Sequence, residues 1–167
     1  MPSKRRFYIS WELRGDDMRF FKSFYYAVRG IVTACRQRNF RFHLCAAAFV
    51  IFFAARFYSF GKAEWGVLLL TCSGVLALES VNTGLEKLAD KVTEEHSHRI
   101  RLAKDCAAGA VLIAAIFAVA VGVIMFWDPD KFLLIRLYFS EPVRLSLLIL
   151  SVALAWAFTF LPEQFFK

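Results

Sequence analysis

Four apolar stretches follow a mixed N-terminal arm in this chain. Residues 42–60, 65–85, 106–127 and 145–161 are dominated by Phe, Leu, Ile, Val and Ala, and each can cross a ~30 Å hydrocarbon core as a helix of ~20 residues if its ends fray or snorkel. The first holds Arg56 near its far end, where a long side chain reaches the headgroups. The second contains one acid, Glu79, and the third has no charged residue. Pro142 and Pro162 bound the fourth. Ahead of them, basic and aromatic residues interleave from Arg5 to Tyr26, a composition that suits an amphipathic helix lying in the membrane interface. That helix is predicted over 18–38. The expected fold class is all-α: an integral-membrane helical bundle with an N-terminal amphipathic surface helix and up to four transmembrane helices.

Composition sharpens this picture. The 167 residues are 59% hydrophobic and the mean hydropathy is +0.50, well above the ~45–50% apolar content of soluble domains. A net charge of +7 would suit nucleic acid, but on a membrane protein basic residues record orientation and attraction to anionic headgroups. Ten Lys and Arg precede residue 42 and five lie between the second and third spans, against two around the first loop (Arg56 and Lys62), three in the last loop and one at the C-terminus. The positive-inside rule therefore puts the N-terminal arm, the 87–104 loop and both termini in the cytoplasm. No apolar h-region occurs in residues 1–41, so a cleaved signal peptide is not expected. Cys35, Cys45, Cys72 and Cys106 show no zinc-site spacing and read as small core residues.

The chemistry concentrates at the cytoplasmic end of the second span. In E-S-V-N-T-G-L-E-K-L-A-D at 79–90, Glu79, Asn82, Glu86 and Asp90 share one helical face. This polar stripe leads from lipid depth to water. An acid inside a span costs ~2.5–3.5 kcal/mol on insertion scales, so Glu79 needs a partner or a purpose. It is either a general base in a low-dielectric setting or a carboxylic acid hydrogen-bonded between helices. Lys104 and Asp105 stand at the mouth of the third span. Lys104 could neutralise a β- or γ-phosphate with Asp105 orienting it or contacting a metal; alternatively, they are a snorkelling lysine and a solvated aspartate. Neither a G-x-x-x-x-G-K-[ST] loop nor a kinase-type glycine loop is present, which excludes P-loop and protein-kinase folds.

Five segments together resemble the prokaryotic diacylglycerol kinase family, which includes the undecaprenol kinases. They are S-F-Y-Y-A-V-R-G at 23–30, N-F-R-F-H at 39–43, A-E-W at 63–65, the 79–90 stripe, and A-K-D-C-A-A-G-A-V-L-I-A-A at 103–115. The resemblance spans about residues 19–127 and leans to the undecaprenol-kinase-like branch. It implies phosphorylation of a membrane lipid alcohol by ATP with Mg²⁺, in a homotrimer with composite active sites, in the bacterial cytoplasmic (inner) membrane. Residues 1–130 would form the kinase core, and 131–167 a C-terminal extension with a fourth transmembrane helix. By the same resemblance Glu79 is the catalytic base and Glu86 a metal carboxylate. Tyr26, Asn82, Asp90, His96, Lys104 and Asp105 surround ATP, while Arg19 and Lys22 face lipid substrate and phosphate. Gln37 stands where relatives carry a second metal-binding glutamate, and an amide ligates Mg²⁺ more weakly than a carboxylate. Gly84 replaces an alanine, loosening the helix by ~1 kcal/mol.

Two other functions stay open at this point. A catalytically weakened homologue acting as a scaffold or lipid-binding subunit would account for Gln37. A small transporter would account for Glu79 but not for the whole stripe. His43 and the H-S-H at 96–98 read as packing or interfacial residues rather than a metal site, and Trp65, Trp127 and Trp156 as interfacial or lipid-facing aromatics.

Overall fold

The computed structural model describes residues 20–92, 98–162 and 165. These residues contain no strand; they form helices α1 (20–34), α2 (Arg38–Phe57), α3 (Lys62–Val92), α4 (His98–Phe126), α5 (Pro129–Tyr138) and α6 (Pro142–Phe160). The chain divides into two units, residues 1–33 and 34–167. In the first, α1 carries exposed Phe20, Phe21, Phe24, Tyr25 and Tyr26, as an interfacial helix requires. The second is a bundle in which α2, α3, α4 and α6 are each long and apolar enough to cross a membrane.

The first helix ends at residue 34, not at 38, and α2 starts earlier than the predicted first span. A turn intervenes, in which the Gln37 N–H donates to the Ala34 carbonyl (2.9 Å) and Gln37 is extended at φ −77°, ψ 135°. The Arg36 carbonyl is taken by Arg41 Nη1 (2.9 Å). That donor replaces the backbone N–H a continuous helix would supply. Arg56, expected to snorkel, is exposed at the end of α2 and stacks over Tyr138, 4.4 Å from the ring centre. The pattern of four spans also concealed α5. Its start is marked by Asp128, whose Oδ1 accepts from the N–H groups of Asp130 (3.0 Å) and Lys131 (3.2 Å), with Pro129 at the first helical position.

Helices α3 and α4 make the main seam. On α3 one row of buried and half-buried positions runs Trp65, Leu68, Cys72, Val75, Glu79, Asn82, Glu86 and Ala89; on α4 a matching row runs Lys104, Ala107, Val111, Ala114, Ala118, Val121 and Met125. Both rows alternate spacings of three and four, the periodicity of knobs-into-holes packing. Three alanines on α4 let the backbones approach closely, which substitutes for the hydrophobic drive that lipid does not provide. The cysteines depart from expectation: Cys35, Cys45 and Cys72 are half-buried and Cys106 is exposed. Ala107 and Val111 take the seam of α4, leaving Cys106 on its outward side.

Polar contacts tie the helix ends. Arg41, 1% exposed, donates from Nη2 to the carbonyls of Thr159 (2.9 Å) and Leu161 (2.6 Å), and from Nε to Thr159 (3.3 Å). It thereby satisfies carbonyls at the C-terminus of α6, where a positive charge also suits the helix dipole. At the other end of the bundle Tyr58 donates to the Phe126 carbonyl (2.8 Å), closing the C-terminus of α4. Burial, and after it the nearby Asp128 charge, raise the Tyr58 phenol above its ordinary pKa, so it remains a donor. Arg41→Met keeps the length of the side chain but removes every donor, and hydrogen bonds from charged groups contribute ~1.5–3 kcal/mol each. The expected result is a loss of about 2–3 kcal/mol, read as a lower thermal midpoint by circular dichroism in detergent; an unchanged midpoint means that the clamp is not stabilising.

Candidate functional site

The site grows out of the α3 seam. Its outer half is apolar, at Leu68 and Val75; four residues on, the same face presents Glu79, then Asn82. Glu79 is 3% exposed and Asn82 4% exposed. No helix breaker interrupts the 31-residue α3, so the row continues over ~16 Å from Glu79 to Asp90 at 1.5 Å per residue. Hydroxyls along the helix are satisfied locally, as hydrocarbon demands: Thr71 donates to the Val67 carbonyl (2.8 Å) and Ser80 to the Leu76 carbonyl (2.9 Å).

Asn82 Nδ2 donates to Glu86 Oε1 at 3.1 Å. That contact fixes which way the amide points, because turning it would set Oδ1 against the carboxylate. Asn82 Oδ1 is consequently buried, with no donor among the described residues. An orphaned carbonyl oxygen beside a half-buried carboxylate is the donor set a hard cation takes. Among the described residues no group of three or more His, Cys, Asp or Glu could hold a metal. The pair therefore fits an ion that draws its remaining ligands from water and phosphate, the usual habit of Mg²⁺.

Lys104 reaches across from α4 to Asp90, Nζ to Oδ1 2.8 Å. This pair is solvent-accessible, with Lys104 38% and Asp90 68% exposed; exposed pairs contribute ~0–1 kcal/mol. The ammonium is thus free to exchange one anion for another. Asp90 lies at the edge of the seam, whose last inward position is Ala89. Asp105 is exposed and makes no hydrogen bond among the described residues. Gln37 caps α2 through its backbone without a side-chain capping bond, and no hydrogen bond joins it to Glu86 among the described residues. Tyr26 and Lys22 lie on α1, both exposed, in the separate first unit. Arg19 and His96 lie outside the described residues. One polar residue escaped the sequence reading: Thr83, 3% exposed beside Asn82. Its signal was a hydroxyl next to the stripe in an otherwise apolar helix.

The chain has matches among known proteins. A family model described as prokaryotic diacylglycerol kinase matches residues 25–126. An undecaprenol kinase of Bacillus subtilis (strain 168) is 39% identical over 114 residues, covering 68% of this chain and 92% of that protein. A diacylglycerol kinase of Synechocystis is 45% identical over 102 residues, covering 60% of this chain and 58% of that protein. A diacylglycerol kinase of Helicobacter pylori (strain J99) is 33% identical over 100 residues, covering 59% and 77%. No solved structure matches.

Gly84 sits beside the site with nothing within 4 Å of where a Cβ would stand. Gly84→Ala is expected to stabilise the protein by about 1 kcal/mol, through helix propensity alone. A lower thermal midpoint in the variant would show that this position is covered in the assembled protein.

Proposed function

The chain belongs to the prokaryotic diacylglycerol kinase family, and from that premise we propose that it transfers the γ-phosphate of ATP to the hydroxyl of diacylglycerol, undecaprenol or a similar lipid alcohol. The protein is a multi-pass membrane lipid kinase. The observation that carries the finer reading is the continuous α3 seam, which turns from apolar to acidic at Glu79 and leaves the membrane at Asp90. A lipid hydroxyl arriving at bilayer depth and a nucleotide arriving from water can meet along it.

In this mechanism Glu79 accepts the proton of the lipid hydroxyl as its oxygen forms a bond to the γ-phosphorus and the bond to the ADP oxygen breaks. Glu86 and Asn82 Oδ1 would hold Mg²⁺, with Gln37 as a weaker ligand. When bound, the ion neutralises phosphate charge. Lys104 leaves Asp90 for the β- or γ-phosphate, and Asp90 and Asp105 orient it. Tyr26 and His96 contact the nucleotide; Arg19 and Lys22 of the N-terminal segment meet lipid substrate and phosphate. Much of the rate then comes from positioning and electrostatics.

The basic residues before α2 and between α3 and α4 favour a cytoplasmic site and cytoplasmic termini in the bacterial inner membrane. An incomplete metal set and the largely exposed apolar face of α4 favour a homotrimer with shared sites. Residues 1–130 make up the kinase core and 131–167 the extension.

Purified protein with labelled ATP, Mg²⁺ and a panel of lipid alcohols tests the reading. Wild type is expected to yield a labelled lipid, and Glu79→Gln to lose at least ~10²-fold of the rate, the usual scale of acid–base catalysis, while assembling normally. More than about a tenth of the activity in the variant would remove Glu79 as the base.

Metal dependence gives a separate check. Gln37→Glu is expected to lower the Mg²⁺ concentration for half-maximal rate, since hard cations favour charged oxygens, and Glu86→Gln to raise it more severely. An unchanged midpoint in Gln37→Glu places that residue away from the metal. Activity absent from wild type but restored by Gln37→Glu would favour the catalytically weakened homologue.

A further inference from the structure

At the end of the bundle opposite Glu86 and Asp90, helices α2, α5 and α6 line a half-open cavity of about 350 Å³. Tyr58, which follows α2 and donates to the last carbonyl of α4, identifies this end: the α2–α3 turn meets the close of α4 there, and α5 and α6 begin beyond it. Phe49 and Phe52 of α2, Phe139 of the α5–α6 turn, and Leu147 and Leu148 of α6 wall the cavity. Ser151 lies deeper along α6, and its hydroxyl is spent on the Leu148 carbonyl (2.8 Å). The interior therefore offers little polar recognition.

Charge enters at one place only. Tyr138 and Arg144 complete the lining, and the Arg144 guanidinium carbon stands 4.5 Å from the Tyr138 ring centre. Arg56 stacks on the same ring at 4.4 Å, so the two cations lie within about 9 Å of each other, held by cation–π contacts. Neither has a carboxylate within ion-pair distance among the described residues. The acids at this end are otherwise placed: Glu64 accepts from the Gly61 N–H (2.6 Å), Asp128 caps α5, and Asp130 and Glu141 are exposed and pair with neither arginine. Two uncompensated charges beside an apolar chamber call for a ligand with an anionic head and an apolar tail. The volume falls in the ~300–1,000 Å³ range of small-ligand sites, too small for a partner helix. Its walls belong to spans in the hydrocarbon, where a water-soluble ligand does not collect.

We propose that this cavity binds one acyl chain of an anionic bilayer phospholipid, whose phosphate is drawn to Arg56 and Arg144. The site lies outside residues assigned to phosphoryl transfer and owes six of its nine lining residues to the segment after residue 126, beyond the family match. It is distinct from the acceptor lipid's site, and its test does not depend on kinase activity.

The test is lipid retention by the full chain, measured by native mass spectrometry in detergent. Phosphatidylglycerol and phosphatidylcholine with identical acyl chains are added in parallel, with and without excess inorganic phosphate. Wild type is expected to retain phosphatidylglycerol at least tenfold more than phosphatidylcholine, and inorganic phosphate alone should not displace it. R56Q/R144Q should lose that preference, R56K/R144K should keep most of it, and Ser151→Phe, which fills the chamber, should lose retention with both arginines intact. Equal retention of the two lipids by wild type overturns the proposal, as does displacement by inorganic phosphate. A preference unchanged in R56Q/R144Q or in Ser151→Phe overturns it too. Should the double variant not assemble, Ser151→Phe and the wild-type lipid comparison decide the matter by themselves.

Discussion

Carbonyls at a helix terminus have no partner in their own helix, and near hydrocarbon no water replaces the missing donor. The second unit of this protein is organised around that constraint. Arg41 supplies donors to the end of α6 and to the turn before α2, and Tyr58 supplies one to the end of α4. Because lipid tails are as apolar as leucine, burying more Leu and Phe between spans would add little. Few side chains are fully buried, and several of those are polar: Arg41, Glu79, Asn82, Thr83 and Thr159. Helix-end hydrogen bonds and close alanine contacts carry the association that a hydrophobic core carries in a soluble domain.

The same economy explains how a buried polar row can be housed in so small a bundle. The seam between α3 and α4 is a strip of interlocking side chains, and a strip can change chemistry along its length without changing geometry. Toward one end it holds Leu68 and Val75, and toward the other Glu79, Asn82 and Glu86. The bond from the Asn82 amide nitrogen to Glu86 leaves the buried Asn82 Oδ1 as an unused acceptor. Lys104 and Asp90, by contrast, are solvated and able to part. The rigid part of the row thus lies at depth and the adaptable part at the water.

The fourth span adds contacts of a different kind. It is bound to α2 through Arg41 at one end, and at the other it opens a chamber lined by aromatic and leucine side chains. Arg41 lies four residues from Gln37, and its bond to the Arg36 carbonyl shapes the turn that holds Gln37. The C-terminal helix is therefore connected, by one guanidinium, to the turn that holds Gln37.

Much of this was legible from the order of residues. Spans of ~20 apolar residues have few alternatives to helix in a membrane, so the four spanning helices, the helical face shared by Glu79, Asn82 and Glu86, and the family all follow from local pattern. Helix α5 was legible too, in Asp128 and Pro129, but its 10 residues were masked by the search for spans. Other features depended on residues far apart in sequence. Nothing around Arg41 announces that it will meet Thr159 and Leu161, because that meeting depends on α6 returning alongside α2. The orphaned oxygen of Asn82 depends on the bond its amide nitrogen makes, and the outward turn of Cys106 depends on which face of α4 its alanines claim. Periodicity along one chain selects helices and faces; which faces meet, and which polar atoms are left without partners, is decided only when the helices pack.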